Sequence, residues 1–161
     1  MTGDRASVLV TGVAGFIGSH LAERLLGEGR SVVGIDSFTG YYDTAAKRSN
    51  LSAVTDHERF HFVEADLRTV DLGALLSDVS VVYHLAGQPG VRSSWSKGFG
   101  DHTSLNVDAG QRLLEGARHA DLDRFVYASS SSVYGNAAEY PCVEGVTEPR
   151  PHSPYGVTKL A

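Results

Sequence analysis

Cysteine is almost absent: Cys142 stands alone in 161 residues, so the chain can form no internal disulfide and offers no cysteine pair for zinc. Nothing here implies a secreted, disulfide-stapled domain. Long hydrophobic runs are also lacking, the apolar clusters falling far short of the roughly 20 residues needed to span a bilayer. The polar stretch Met1 to Ala6 precedes no apolar leader. A cytoplasmic protein with no membrane partner is expected. Fourteen basic against nineteen acidic residues give a net charge of −5, and no stretch gathers Lys and Arg into a stripe, so nucleic acid is excluded as a partner. Seven histidines (His20, His57, His61, His84, His102, His119, His152) are scattered without a second ligand at metal spacing, so no metal is expected.

What is present is the material of one core-forming domain over residues 1–161: 42% hydrophobic and 20% charged residues, with no repeat and no linker. β-branched runs at Ser7 to Thr11, Ser31 to Asp36, Phe60 to Glu64, Val79 to Leu85 and Arg124 to Ala128 predict five strands covered on both faces. Amphipathic stretches separate them. Phe16 to Gly29 places Ile17, Leu21, Leu25 and Leu26 on one stripe, and Val107 to Ala120 groups Leu113, Leu114 and Ala117. A further helix is expected around Ala45 to Val54, and a functional loop over Gln88 to Ser104. The proline-bearing stretch Gly135 to His152 reads as a surface connection to a last helix, with Ser153 as N-cap and Pro154 as first helical residue. Alternating strands and helices define an α/β fold with a doubly wound parallel sheet.

Gly12-x-x-Gly15-x-x-Gly18 follows the first strand and opens the first helix. Glycines there let backbone approach a pyrophosphate, and the helix N-terminus supplies amides and a positive dipole end. The turn Gly12, Gly15, Phe16, Ile17, Gly18 is therefore a candidate dinucleotide cradle. Asp36, eighteen residues after Gly18 at the end of the second strand, can accept hydrogen bonds from a ribose diol; with Ser37 beside it and no adjacent Arg, it favours NAD over NADP. Lys47 and Arg48 read most simply as a solvated helix face.

Tyr155 and Lys159 stand four apart on the last helix, on one face. A phenol titrates near about 10, so Tyr155 needs a nearby cation to act as a base at neutral pH, and Lys159 is placed to supply it. The serine run Ser129 to Ser132 follows the fifth strand, where ligands bind in open α/β sheets, and has no flanking His or acid to make a serine nucleophile. His84 reads as a strand-end residue beside the cofactor.

Together with Asp66-Leu67, His84-Leu85-Ala86-Gly87 and Asn106, these motifs resemble the extended short-chain dehydrogenase/reductase family over essentially the whole chain. More narrowly the chain resembles NAD-dependent nucleotide-sugar epimerases and dehydratases, with UDP-glucuronate and UDP-glucose 4-epimerases as the nearest in pattern. The resemblance implies that Asp66 and Leu67 bracket the adenine, Leu85, Ala86 and Gly87 line NAD, and Asn106 steadies the central helix. Ser130, four before Tyr134, matches the family's catalytic Ser/Thr, and Tyr155 and Lys159 its base and its ribose-holding lysine. Where related 4,6-dehydratases carry acids after that Ser/Thr, this chain has Ser131 and Ser132, which favours 4-epimerisation over loss of water.

The stretches Tyr41-Tyr42-Asp43 with Lys47-Arg48, and Gln88 to Arg92, resemble the UDP-glucuronate enzymes, implying that Arg92 and Ser130 to Ser132 meet the sugar. The expected reaction is interconversion of UDP-glucuronate and UDP-galacturonate through a 4-keto sugar. UDP-glucose epimerisation or 4,6-dehydration are the enzymatic alternatives, and a non-catalytic NAD-binding fragment is the alternative of another class. The resemblance further implies a homodimer when full length, and a Rossmann-type domain lacking its C-terminal substrate-binding part, cut just after Lys159.

Overall fold

β-branched residues crowd the strands; the central strands of the sheet are buried, whereas Phe60–Glu64 and Arg124–Tyr127 at its edges, expected to be covered on both faces, hold only half-buried and exposed residues. The computed structural model describes residues 7–136 and 140–161; Met1 to Ala6 and part of the Gly135 to His152 connection lie outside them. Strands β1 (Ser7–Thr11), β2 (Val32–Asp36), β3 (Phe60–Glu64), β4 (Val79–His84) and β5 (Arg124–Tyr127) pair in parallel in the order β3-β2-β1-β4-β5. The chain winds outward from β1 to β3, then crosses back to add β4 and β5 on the other side. That reversal at β1 and β4 is where ligands bind in such sheets.

β1 is the central strand, and Val8, Leu9 and Val10 are at most 1% exposed. Each contributes about 1.5–3 kcal/mol by burial. Helix α1 (Phe16–Gly27) buries Gly18, Ser19, Ala22, Leu25 and Leu26. Ile17, expected on the inner stripe, is instead 67% exposed. The inward stripe starts one residue later, because only a glycine at position 18 lets the helix approach the turn before it. The helix also stops short of Gly29, which takes φ +82° and returns its amide to Leu26 O.

Helix α2 (Thr44–Asn50) is N-capped by Asp43, and α3 (Leu72–Leu76), which the apolar pattern did not announce, by Asp71. The helix expected from Val107 to Ala120 starts earlier and ends sooner: α4 (Phe99–His102) leads through a π-helical stretch, Thr103–Asp108, into α5 (Ala109–Ala117). The second half of the expected Gln88 to Ser104 loop is thus helical. In α5, Leu113 is fully buried while Leu114 is 52% exposed, correcting their expected pairing. Gly116 faces Leu72 and Leu76, one turn on from Leu113. Helix α6 (Pro154–Leu160) begins at Ser153 as read from the sequence.

The chain divides into two compact units: the stretch up to Ala86 with Gln111–Ala128, which carries the sheet, and Gly87–Gly110 with Ser129–Ala161. No helix among the described residues is long and apolar enough to cross a membrane.

Candidate active site

In the sheet unit, the carboxyl ends of β1, β2 and β4 build a backbone-lined cradle. Gly12 takes φ +67°, and a Cβ there would stand 2.8 Å from the Ala86 nitrogen. A Cβ on Gly18 would run into the Gly12 carbonyl oxygen. Both glycines are required sterically, and Gly15 N closes the turn on Gly12 O at 3.0 Å. Phe16 and Ile17 are exposed on the first turn of α1. Asn50 donates to Ala14 O at 2.9 Å and ties α2 to the same turn.

Thr11, which no motif singled out, organises the β4 exit. Its hydroxyl oxygen accepts from the Leu85 and Ala86 amides at 3.1 and 3.0 Å. Its own proton then goes to Nδ1 of buried His84, 2.7 Å away, which places the ring proton of His84 on Nε2. Leu85 and Ala86 are thereby held beside Gly12.

Asp36 is buried, its carboxylate accepting from Ala14 N at 3.2 Å and Phe38 N at 2.8 Å. Lys47 Nζ lies 3.3 Å from the same carboxylate and is equally buried at 8% exposure. This overturns the reading of Lys47 as a solvated residue: α2 folds back and sets it against Asp36. Arg48 does face solvent, lying 4.4 Å over the Phe38 ring and pairing with Glu64. Ser37 is exposed. Asp66 is gripped by Arg68, whose hydrogen bonds hold the carboxyl below the usual carboxylate range. Leu67 is buried, its carbonyl accepting from Arg112 at 2.6 Å.

In the second unit, α6 and the serine run come together. Ser153 Oγ accepts from Gly156 N at 3.0 Å, and Pro154 fills the first helical position. A Cβ on Gly156 would lie 2.6 Å from Ser132 O and 2.9 Å from Pro151 Cβ, so this glycine sets the close approach of α6 to the serines. Ser129 donates to Lys159 O at 3.1 Å, and Ser130 Oγ accepts from Ser132 N at 3.1 Å, leaving the Ser130 O–H as a donor. Ser131 is exposed and Ser132 half-buried. Tyr155 is half-buried, whereas Lys159 is buried, and desolvation pushes its pKa below the usual lysine value.

Asn106, in the π-helical stretch, accepts from Gln88 N at 2.6 Å and donates to Gln88 O at 3.1 Å and Thr158 Oγ1 at 3.0 Å. Thr158 in turn donates to Tyr155 O at 2.9 Å. Asn106 therefore ties the segment after β4 to the tyrosine helix, which is more specific than steadying its own helix. Isolated π turns often mark functional sites. Gly87 is part of this arrangement: a Cβ on it would stand 3.0 Å from Asn106 Oδ1 and 3.2 Å from Lys159 Nζ. Arg92 is exposed further along the segment. Thr11, Lys47, Thr158 and His102 were given no site role by the sequence; the contacts of a buried polar residue are visible only once the fold is known.

A glycine cradle at a doubly wound switch point, together with a Tyr-x-x-x-Lys helix seated on a serine run, defines a dinucleotide-dependent short-chain dehydrogenase/reductase architecture. The chain belongs to the extended short-chain dehydrogenase/reductases, and the family model described as GDP-mannose 4,6 dehydratase matches residues 9–161. An uncharacterised UDP-glucose epimerase of Bacillus subtilis (strain 168), YtcB, is 48% identical over 154 residues, covering 95% of this chain and 48% of that protein. UDP-glucuronate 4-epimerase 2 of Arabidopsis thaliana is 38% identical over 164 residues, covering 99% and 37%. Among solved structures, UDP-glucuronic acid 4-epimerase from Bacillus cereus in complex with UDP-glucuronic acid and NAD superposes with a TM-score of 0.91 at 46% identity, covering 96% of this chain and 49% of that one. The chain spans about half the length of these proteins or less.

Proposed function

We propose that residues 1–161 are the NAD-binding part of a cytoplasmic, homodimeric enzyme that epimerises C4 of a UDP-sugar, with UDP-glucuronate and UDP-galacturonate as its substrate pair. The observation that carries the reading is the seating of α6 on the serine run, where Gly156 admits Ser132 O and Ser129 holds Lys159 O. Relatives named as UDP-glucose and UDP-glucuronate 4-epimerases support it.

The residues present fit a dinucleotide. Gly12 and Gly18 let the turn pack backbone against backbone at the start of α1, and buried Asp36 stands at the end of β2, where an adenosine ribose is read. Gly12, Gly15, Phe16, Ile17 and Gly18 would hold the pyrophosphate, Asp36 and Ser37 the ribose, and Asp66 and Leu67 the adenine. Leu85, Ala86, Gly87 and Asn106 would hold the remainder with Tyr155 and Lys159. When bound, NAD supplies a reversible hydride acceptor for C4 of the sugar.

Tyr155 removes the 4-hydroxyl proton and returns it at the end of the cycle. Lys159, buried one turn further along, favours the phenolate by its charge and steadies the ribose. Ser130, its hydroxyl proton still available, donates to the C4 oxygen and orients the sugar. Arg92, Ser131 and Ser132 meet the sugar's polar groups, a carboxylate at C5 among them. Because serines stand after Ser130, no side chain there supplies the acid that loss of water needs, which favours epimerisation over dehydration. Exposed Phe99, Val157 and Leu160 support a self-associating face.

The test uses the full-length protein. It should convert UDP-glucuronate to UDP-galacturonate without net NADH, and Tyr155→Phe should lower kcat by at least about 10²-fold with the dinucleotide still bound. Undiminished turnover in that variant would remove Tyr155 from its role. A protein that binds NAD and converts no UDP-sugar would be a binding module.

A further inference from the structure

His102 was one of seven scattered histidines in the sequence, with nothing to distinguish it. The fold buries it to 1% exposure at the end of α4. Its Nδ1 lies 2.8 Å from Gly98 O, and its Nε2 3.3 Å from Pro89 O. Its ring packs edge to face with that of Tyr155, with ring centroids 6.1 Å apart and planes at 80°. Such edge-to-face pairs are worth about 0.5–1.5 kcal/mol beyond simple burial. One ring thus touches the candidate base and the segment that carries Arg92.

The Tyr155 backbone carbonyl accepts from the Thr158 hydroxyl, and Ser153 caps the helix at the next residue, Gly156. Neither contact sets the tilt of the phenol ring. The segment after Gln88 is held at its start by Asn106, and the Ser93 and Ser94 hydroxyls donate within it, to Gly90 O and Val91 O. Between Asn106 at the start and Gly98 at the end, the Pro89 carbonyl on His102 is a hydrogen-bond contact of this segment with α4.

We propose that His102 is a positioning residue with two separable effects: its ring sets the orientation of Tyr155, and its nitrogens strap the Pro89–Arg92 segment. The proposal rests on Tyr155 and Arg92 having the roles given above. His102→Phe keeps a ring and loses both polar contacts. His102→Gln keeps a donor and loses the ring.

Both variants are made in the full-length protein, and kcat, KM for UDP-glucuronate, melting temperature and hydrogen–deuterium exchange of residues 88–96 are measured. His102→Phe should raise KM about tenfold and speed exchange over 88–96, with kcat within about threefold of the parent. His102→Gln should lower kcat about tenfold with KM and exchange near the parent values. Unchanged constants in both variants, or kcat and KM shifting alike in both along with the melting temperature, would overturn the proposal. If the parent converts no UDP-sugar, the epimerase reading fails by itself. The exchange arm still decides the strap: faster exchange in His102→Phe supports it and unchanged exchange refutes it.

Discussion

Lys159 is the residue whose electrostatics most constrain the chemistry. Burial pushes its pKa below the ordinary value of 10.5, because the charged form loses solvation. Between the folded value and 10.5 the unfolded chain binds more protons than the folded one, so stability rises with pH across that window. Below the window the penalty is constant. Parent protein should therefore gain stability relative to Lys159→Met as pH rises toward about 10.5, a trend readable in denaturant titrations at pH 7 and at pH 10. A difference independent of pH would mean that the ammonium is not desolvated. Thr11 offers a second test, since one hydroxyl satisfies two amides and a histidine nitrogen. Thr11→Val keeps the shape and leaves those groups without it, which should cost about 1–3 kcal/mol. Thr11→Ser should recover most of the loss in the same denaturant titration.

Among the elements, α6 is short and takes its position from what it packs against. An isolated helix of seven residues is unstable in water, so the Ser153 cap, the Asn106–Thr158 bond and the Gly156 approach to Ser132 define it. Gly156→Val would place a branched side chain where a Cβ already comes within 2.6 Å of Ser132 O. The helix must shift away from the serine run. Misplacement of reacting groups by about 1 Å can cost around 10²-fold, so kcat should fall about 10–100-fold, measured by steady-state kinetics on the full-length enzyme. A variant with parental kcat would show that the seating of α6 does not govern Tyr155.

For the molecule as a whole, the sheet was legible because its strands are continuous apolar runs, each found within one residue of its observed ends. The glycine turn and the Tyr-x-x-x-Lys helix were legible because their steric and spacing demands are local. What escaped the sequence depends on tertiary packing. Leu114 and Ile17 lie on the flanks of stripes that begin one residue away, the glycine- and serine-rich approach to α4 hid a helix held by its neighbours, and α3 is too short to show a period. Lys47 looked solvated until α2 folded onto Asp36, and His102 gained meaning only when α4 met α6.

The central claim is that the full-length enzyme inverts C4 of a UDP-sugar and uses Tyr155 to do so. The most direct measurement follows UDP-glucuronate by proton NMR with the NAD-loaded protein and reads the configuration at C4 from the ring couplings. The account predicts a mixture of UDP-glucuronate and UDP-galacturonate with no net NADH and no loss of water. Accumulation of a dehydrated sugar, or unaltered substrate beside bound NAD, would contradict it.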